Sequence, residues 1–591
     1  MCGIAGVMGA DGTTADARKL ERLVSALHHR GPDGDGAYSA RNVALGQTRL
    51  AIIDLETGNQ PLYEPGGAVL VANGEIYNYV ELRAQLDGEA FSTRSDCEPP
   101  LHLYRKHGLD FVDHLRGMYA IALYDPIEGQ LVLARDPFGI KPLYYAQTDQ
   151  GFAFASEPQA LLESGMVAPR INETALTELL QLQFTTGAET IFDQVMRVLP
   201  GESVVVRDGR VVARRRRSGL PSGGTADWSE AEALELLDAA LRDSVEVHQR
   251  SDVPYGMFLS GGVDSSALLA LMADLNDTPV QAFTAGFVGT SVPDERAHAR
   301  ELARITGAEM TELTIDADMF WRDLPRIAAA MDDPTADYAM VPSYFLAEAV
   351  KAAGLKVVLT GEGGDELFAG YGRYRSAMRP WWRGGRSMRA RGVFDGLGVL
   401  RDTPAGWRDG IAAAQQTADA ADYTRLQSAQ AADCADWLPN DLLIKVDRCL
   451  MAHGVEGRTP FLDPEVAAVA FRLPDALKVR DGLGKWILRN WLNGVLPEAR
   501  PFERKRGFSV PVAEWIEARG AEIGPLVAYQ PGVLEVCEPR AVEALFARSG
   551  KRQGFAAWVL LFYALWHAHH VLNIRDCADV RGALETGRRA A

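Results

Sequence analysis

The sequence predicts an N-terminal α+β domain followed by an α/β domain whose C-terminal part is helical. Residues 2–205 contain short β-type runs separated by Gly, Pro, Asn and Asp, with a few helical patterns between them. After residue 229 strands alternate with helices, which is typical of βαβ units around a parallel sheet. Residues 405–591 have mainly helical spacing. We therefore expect a first domain at 2–210, a linker at 211–228 and a second domain at 229–591.

Each domain has its own series of expected elements. In the first we expect strands at Ile4–Val7, Val43–Gln47, Ala68–Ala72, Met118–Tyr124, Leu131–Ala134 and Leu143–Tyr145, and helices at Asp16–Leu27, Asn78–Gln85 and Pro99–Lys106. In the second we expect strands at Val253–Leu259, Val280–Phe287, Glu312–Ile315 and Lys356–Leu359, and helices at Ser265–Ala273, Asp294–Ile305 and Tyr344–Ala352. Ligands bind beyond the carboxyl ends of parallel strands, so the loops after the second set of strands are candidates for a site.

The linker prediction rests on the segment VVARRRRSGLPSGGTADW. Its arginines, Arg214–Arg217, precede Pro, Ser and Gly, a composition typical of exposed connections. Blocks of like charge usually lie in solvent, so we interpret these arginines as a solvated segment rather than a binding surface.

Charge and cysteine content exclude several classes of protein. The net charge of −18 and the pI near 5.2 argue against general binding to nucleic acid or anionic membranes, while a local basic pocket for phosphates stays compatible. The six cysteines show no C-x-x-C spacing, which argues against zinc and thioredoxin-like sites and favours reduced thiols. The apolar run Phe555–Trp566 is too short to span a bilayer and predicts a buried helix. We therefore expect a cytoplasmic protein with no nucleic-acid or membrane partner.

Cys2 follows the initiator methionine and is a candidate nucleophile. If the methionine is removed, the thiol and a free α-amino group belong to one residue, and that amine, with an ordinary pKa of about 7.7–8.0, can accept the thiol proton. A lone cysteine at this position is more often an ordinary small residue. Further polar motifs follow it at His29–Asp33 (HRGPD), Arg49–Asp54 (RLAIID), Asn73–Asn78 (NGEIYN), Ser95–Glu98 (SDCE) and Arg135–Gly139 (RDPFG).

These motifs, in this order, closely resemble the class II glutamine amidotransferases, whose N-terminal nucleophile domain begins Cys-Gly-Ile. The likeness extends from Cys2 to about Glu157 and implies the αββα fold of that domain. It implies that Cys2 attacks the side-chain amide of glutamine and forms a γ-glutamyl thioester. The developing oxyanion needs donors in place beforehand, and the resemblance assigns them to the Asn73 side chain and the Gly74 N–H. Asn-Gly is also the strongest short hairpin signal, and a turn there is compatible with this role.

The resemblance also assigns the two charged ends of glutamine. It implies that Arg49 holds the α-carboxylate, as a bidentate guanidinium can, and that Glu75 and Asp96 hold or orient the α-amino end. Surface ion pairs are the alternative for each of these charges. The chain departs from the family pattern at Pro99 and Pro100, where aliphatic residues are usual, but proline is tolerated in the first turn of a helix.

A Gly-rich loop opens the second domain. The strand Val253–Leu259 leads into SGGVDSS, residues 260–266, and then into a helix, and the backbone N–H groups of such a loop bind anions. The loop is neither a Walker A motif nor a dinucleotide-binding motif. It resembles the pyrophosphatase loop (PP-loop) of adenine nucleotide α-hydrolase-like enzymes, which cleave ATP to AMP and pyrophosphate; an ordinary Gly-rich turn is the alternative. The resemblance implies ATP contacts from Leu259, Ser260, Gly261, Gly262, Asp264, Ser265 and Ser266.

The loop TGEGGDE, residues 360–366, resembles the S-G-E-G-x-D-E motif of the asparagine synthetase family, with Thr360 in place of Ser. It adds Thr360 and Gly361 as ATP contacts. Carboxylates beside a triphosphate are repulsive unless cations intervene, so Asp264 and Asp365 are candidate Mg²⁺ ligands. Glu362 is a candidate acid or base beside an aspartyl adenylate. A solvated acidic loop is the alternative.

Three later segments also match that family: Leu442–Arg448 (LLIKVDR), Glu456–Asp463 (EGRTPFLD) and Lys505–Phe508 (KRGF). Lys505 is a candidate partner of the α-phosphate. Lys445, Asp447, Arg448 and Arg458 fit either a site or structural ion pairs. We expect the acceptor pocket at residues 332–338, without roles for individual side chains.

Together the motifs imply a glutamine-dependent asparagine synthetase that uses ATP and Mg²⁺ and carries ammonia between its two sites through an internal passage. The alternative within the family is amidation of a different small carboxylate. A PP-loop enzyme that modifies tRNA is disfavoured by the acidic charge and the absence of paired cysteines. A non-catalytic protein of glutaminase-like fold is disfavoured by the second-domain motifs. The sequence allows a homodimer.

Overall fold

Two six-stranded antiparallel sheets form the N-terminal half, in a computed structural model that describes residues 2–10, 13–379, 382, 388–503 and 509–589. The strands are β1 (Gly3–Met8), β2 (Gly34–Ala40), β3 (Val43–Arg49), β4 (Leu62–Tyr63), β5 (Val69–Ile76), β6 (Gly117–Asp125), β7 (Gln130–Arg135), β8 (Tyr144–Thr148), β9 (Gly151–Ala155), β10 (Met196–Arg197), β11 (Glu202–Arg207) and β12 (Arg210–Arg216). The helices are α1 (Ala17–Ala26), α2 (Tyr79–Gln85), α3 (Pro99–His107), α4 (Pro158–Glu163) and α5 (Glu173–Leu182). The sheet orders are β10-β8-β9-β1-β3-β2 and β12-β11-β7-β6-β5-β4.

The two sheets stack face to face. Ile4 and Leu45 of the first sheet and Val71 and Ala122 of the second belong to one buried cluster, because alternate residues of each strand point to the same face. Helices cover both outer faces: α1 packs on β1 and α3 packs on β5. This layering is the expected αββα arrangement.

The linker prediction is wrong for residues 211–216. They belong to β12, which pairs with β11 along Glu202–Arg207 in an antiparallel register. Arg214, Arg215 and Arg216 are exposed, so the solvated environment expected for them is found, but on an edge strand rather than in a loose connection. Arg214 donates to Glu202 and Arg215 pairs with Asp110, which fixes the arginines over this sheet.

A five-stranded parallel sheet, in the order β15-β14-β13-β16-β17, forms the centre of the second half. Its strands are β13 (Tyr255–Phe258), β14 (Gln281–Phe287), β15 (Glu309–Ile315), β16 (Val357–Leu359) and β17 (Glu456–Arg458). Helices α6 (Glu230–His248), α7 (Val263–Leu275), α8 (Arg296–Thr306), α9 (Ala317–Ala330) and α10 (Met340–Ala352) flank it. All neighbouring strands run parallel, so their carboxyl ends meet at one edge of the sheet, as expected for an α/β domain.

In the described part of the chain the other regular elements are helices, apart from a two-stranded hairpin. Its elements are α11 (Gly364–Leu367), α12 (Gly372–Ala377), α13 (Asp409–Asp419), α14 (Arg425–Ala432), a π-helix (Asp433–Leu443), α15 (Ile444–Met451), α16 (Pro464–Ala470), α17 (Asp475–Lys478), β18 (Val479–Arg480), β19 (Leu483–Gly484), α18 (Trp486–Val495), α19 (Val512–Ala528), α20 (Pro531–Val536), α21 (Pro539–Phe546), α22 (Lys551–His570) and α23 (Val580–Arg589). Trp558 and Trp566 of α22 are fully buried, which confirms the prediction of a core helix at Phe555–Trp566. Among the described residues, none of the helices has the length and apolar character needed to cross a bilayer.

Candidate active sites

Cys2 lies just before β1, where the two stacked sheets approach each other. Its backbone N–H donates to Oδ1 of Asn73 on β5 at 3.0 Å, and its carbonyl accepts from Nε of Arg30 at 3.2 Å. The side chain is buried, and this burial raises the pKa of the thiol. The thiol form is therefore the resting form, and nucleophilic attack requires a base to remove its proton.

Asn73 provides a hydrogen-bond donor beside this thiol. The residue is fully buried, and its Nδ2 group has no partner among the described residues, although buried polar groups are normally paired. Gly74 follows in the same strand, where a Cβ atom would lie 2.1 Å from the Met118 carbonyl oxygen, so only glycine fits. Both residues lie inside β5, so the alternative of a hairpin turn at Asn73-Gly74 is wrong. Their role as donors to the oxyanion stays a prediction.

Hydrogen bonds hold two of the residues expected to bind glutamine, Arg49 and Asp96, in fixed positions. Nη1 of Arg49 donates to Asn59 Oδ1 at 2.7 Å, and Nη2 donates to the Asp54 carbonyl at 2.5 Å, which fixes the guanidinium at the end of β3. Asp96 accepts the Ile76 N–H at 2.8 Å. Burial raises the pKa of Asp96.

Glu75 has a different neighbour from the one expected. Its Oε2 atom lies 3.3 Å from Nη2 of Arg458 in the second domain, and burial together with the nearby Glu456 raises the pKa of Glu75 well above its usual value. Its place beside the amino group of glutamine therefore stays a prediction. Arg458 also donates from Nε to Glu456 at 2.6 Å, so it is a structural ion-pair residue between the domains.

Arg30 links the two domains beside Cys2. Besides its bond to the Cys2 carbonyl, it donates to Glu157 at 2.6 Å and makes two bonds to Asp447 of α15, at 2.8 and 2.9 Å. Arg448, the next residue, donates to Asp332 at 2.6 Å. Asp447 and Arg448 are thus structural ion-pair residues. The sequence contained Arg30 in the HRGPD motif but gave no signal for its partner more than four hundred positions away.

A cavity of about 450 Å³ opens at the carboxyl edge of the parallel sheet. Most of the predicted ATP-binding, catalytic and metal-binding residues line it: Leu259, Ser260, Gly261, Gly262, Asp264, Ser265, Thr360, Gly361, Glu362 and Asp365. Ser266 does not line the cavity, because its side chain lies on the buried face of α7. Lys505 lies outside the described residues, although the nearby Pro501 and Glu503 line the cavity.

The Gly-rich loop is held in shape by its own hydroxyls. Ser265 Oγ accepts the Ser260 N–H at 3.2 Å, and the two hydroxyls lie 3.0 Å apart. Gly261 has a φ of +69°, a left-handed conformation that favours glycine. The loop ends at the first residue of α7, where the free N–H groups of a helix N-terminus attract anions.

Lys485, which the sequence did not single out, joins the two carboxylates predicted to bind metal. Its ammonium contacts Asp264 and lies 2.7 Å from Asp365. The lysine follows the β18–β19 hairpin, far along the chain from both loops, and a single lysine before a helix carries no sequence signal. Within the described part of the chain, no cluster of three or more His, Cys, Asp or Glu has metal-binding geometry.

Lys445 lies on another wall of the same cavity. It donates to Asp337 at 2.9 Å, and its Nζ atom lies 3.9 Å from Glu362. Burial raises the pKa of Glu362. The sequence left open whether Lys445, Asp447, Arg448 and Arg458 belong to a site or to structural ion pairs, and of these four only Lys445 lines the cavity. In the expected acceptor segment, residues 332–338, the acidic residue that lines the cavity is Asp337.

Comparisons with sequence-family models and with named relatives agree with this arrangement. A model of the asparagine synthase family matches residues 236–568, and a model of the glutamine amidotransferase domain matches residues 1–216. Asparagine synthetase (glutamine-hydrolyzing) 1 of Bacillus subtilis (strain 168) is 32% identical and covers 97% of each chain. A putative asparagine synthetase (glutamine-hydrolyzing) of Mycobacterium tuberculosis (strain ATCC 25618 / H37Rv) is 34% identical and covers 96% of this chain and 97% of its own. A solved structure, the allosteric regulatory enzyme of purine biosynthesis, is 17% identical with a TM-score of 0.30 and covers 53% of this chain and 80% of its own.

The two family models divide the chain as the two sites do. The match at 1–216 contains Cys2 and Asn73, and the match at 236–568 contains the Gly-rich loop and Lys485. The chain therefore belongs to the asparagine synthase family and is an enzyme, a glutamine-hydrolysing carbon–nitrogen ligase.

Proposed function

We propose that this enzyme makes asparagine by adenylating the side-chain carboxylate of aspartate with ATP and amidating it with ammonia from glutamine. The supporting observation is the pair of sites in one chain. One has a buried thiol beside an amide donor that no described residue uses, and the other is a cavity where a Gly-rich loop meets carboxylates and lysines. The products expected besides asparagine are glutamate, AMP and pyrophosphate.

In the glutaminase site the thiol proton is lost as sulfur bonds to the amide carbon of glutamine, and ammonia leaves. Once Met1 is removed, the nitrogen of Cys2 is a primary amine that can take the thiol proton. The same nitrogen lies 3.0 Å from Asn73 Oδ1. Because Oδ1 is occupied in this way, Nδ2 is left to donate to the oxyanion, and water then hydrolyses the thioester to glutamate.

In the cavity an oxygen of the aspartate carboxylate bonds to the α-phosphorus of ATP, and pyrophosphate leaves. Ammonia then attacks the acyl carbon, the bond to AMP breaks, and the Glu362 carboxylate accepts a proton from nitrogen. Asp264 and Asp365 fit Mg²⁺, since both are oxygen ligands already gathered around one cation, Lys485. A bound Mg²⁺ would neutralise triphosphate charge at this place.

Product analysis by mass spectrometry tests the proposal. Purified protein is incubated with MgATP, glutamine and a panel of carboxylates that includes aspartate. We expect asparagine with equimolar AMP and pyrophosphate. Glutamate without AMP in the presence of aspartate, with AMP formed only from another carboxylate, would contradict aspartate as the acceptor and leave the alternative of a different substrate.

A further inference from the structure

The cavity contains two lysines that hold different groups of carboxylates. Lys485 contacts Asp264 and Asp365 beside the Gly-rich loop, so it marks the end where phosphates bind. Lys445, a buried residue of α15, contacts Asp337 in the segment before α10. Glu362 belongs to the loop that also carries Asp365, yet its carboxylate is 3.9 Å from Lys445. Glu362, the proposed base, therefore lies between the end of the cavity near Lys485, where phosphates would bind, and a second charged end formed by Asp337 and Lys445.

The orientation of the acceptor follows from this order. The carboxylate that is activated must meet the α-phosphate, and the carbon that ammonia attacks must be near Glu362. The remainder of the acceptor then extends away from Lys485, toward Asp337 and Lys445. Side chains at that end recognise the part of the acceptor that does not react.

We propose that Asp337 binds the α-ammonium and Lys445 the α-carboxylate of the acceptor, so that the cavity selects α-amino acids with a second carboxylate. The inference rests on the proposed function and adds the residues that determine its substrate class. The two side chains present one anion and one cation 2.9 Å apart at the wall of the cavity, which complements the paired charges of a zwitterion. On binding, the ion pair opens and each partner takes the opposite charge of the substrate.

The surroundings hold both side chains in place for this exchange. The Oδ1 atom of Asp337 accepts the Ala339 N–H at 3.0 Å, so Oδ2 is the oxygen that meets Lys445. Lys445 is on α15, whose Asp447 is fixed by two bonds to Arg30. An acceptor with only one of the two charges would open the pair but replace the partner of only one side chain, which is costly because the side chains of Lys445 and Asp337 are only 5% and 15% exposed. Selection against such analogues follows from the pair itself.

Exchange of radioactive pyrophosphate into ATP measures this selection without glutamine or ammonia. The acceptors are aspartate, succinate, which lacks the ammonium, and β-alanine, which lacks the α-carboxylate. In the wild-type enzyme we expect kcat/KM for aspartate to exceed both analogues by at least about 30-fold. Asp337→Asn should reduce the preference for aspartate over succinate, and Lys445→Gln the preference for aspartate over β-alanine, each by about tenfold or more.

A matched control is Asp193→Asn, which makes the same chemical change in an exposed ion pair with Arg170, also at 2.9 Å, outside the cavity. Glutamine hydrolysis reports whether each variant is folded. Wild-type exchange that is as efficient with succinate or β-alanine as with aspartate would overturn the inference without any variant. Unchanged preferences in both folded variants would also overturn it, while asparagine synthesis stands. Absence of aspartate-dependent exchange in the wild type would overturn the proposed function, and the inference with it.

Discussion

The glutaminase site and the ATP cavity differ in how their polar groups are held before any substrate binds. Around Cys2 main-chain groups hold the side chains: the Ile76 N–H of β5 fixes Asp96, and the carbonyl of Asp54, in the loop after β3, fixes Arg49. In the cavity the side chains of Asp264 and Asp365 keep 18% and 19% exposure, and a long lysine side chain neutralises them. The first arrangement is rigid and the second can exchange its partners.

The difference indicates which polar groups of each site the protein holds in place before substrate binds. An oxyanion needs donors that are already in place, and a buried β-strand provides them with little reorganisation. Phosphates and metal ions bring large charges of their own, so a cavity for them needs cations that can move to new partners. Substitutions at each site and removal of divalent cations should distinguish the two arrangements.

Replacing the nucleophile separates the two sites most completely. We expect Cys2→Ala to lower glutamine-dependent synthesis by more than about 10⁴-fold, because no other group forms the thioester. Synthesis from added ammonium chloride should persist, since the cavity is unchanged. Rates are measured as AMP formation with each nitrogen source. Loss of both activities in a folded variant would contradict the independence of the sites.

Removal of divalent cations should act on the other site. With excess chelator we expect aspartate-dependent pyrophosphate exchange to fall by more than about 10²-fold, since triphosphate charge beside Asp264 and Asp365 is then unscreened. Glutamine hydrolysis should change less than about twofold, because its polar groups are protein groups. Parallel assays of exchange and glutamate release measure this. A similar fall in both rates would argue against the contrast.

The oxyanion donor Asn73 can be removed while the nucleophile Cys2 is kept. We expect Asn73→Ala to lower kcat for glutamine hydrolysis by about 10²–10³-fold, the usual loss for one oxyanion donor. KM for glutamine should change much less, because Nδ2 acts on the transition state. Steady-state kinetics separate the two constants. An increase confined to KM would mean that Asn73 binds the substrate and not the oxyanion.

The ion pair between the domains should affect stability. We expect Asp447→Asn to lower the free energy of unfolding by about 3 kcal/mol, because Arg30 is fully buried and keeps its charge. A matched control is Lys356→Met, which breaks a half-exposed pair with Asp33 at 2.7 Å, also between the domains, and should cost less than about 1 kcal/mol. Urea unfolding followed by fluorescence compares them. Equal losses would mean that burial does not determine the strength of these contacts.

Short contiguous motifs contain most of the predicted site residues that the structure brings together. Cys2 with Asn73-Gly74, and the loops at 260–265 and 360–365, are local patterns whose spacing already determines a strand, a tight turn or a helix start. Arg214–Arg216 were assigned to a linker because an exposed edge strand with charged side chains has the same composition as a solvated connection. Ser266 was included with the loop because a six-residue motif does not show which face of the following helix is buried.

By itself the sequence determined the fold class of each half and the motifs around Cys2 and the Gly-rich loop, since each depends on residues that are neighbours along the chain. The tertiary structure alone determined that Lys485 joins Asp264 to Asp365, that Arg30 meets Asp447, and that Asp337 faces Lys445. These contacts join separate strands, loops and helices. Their partners are chosen by how the sheets and helices pack, and a charged side chain in a sequence carries no information about which distant opposite charge will be buried against it.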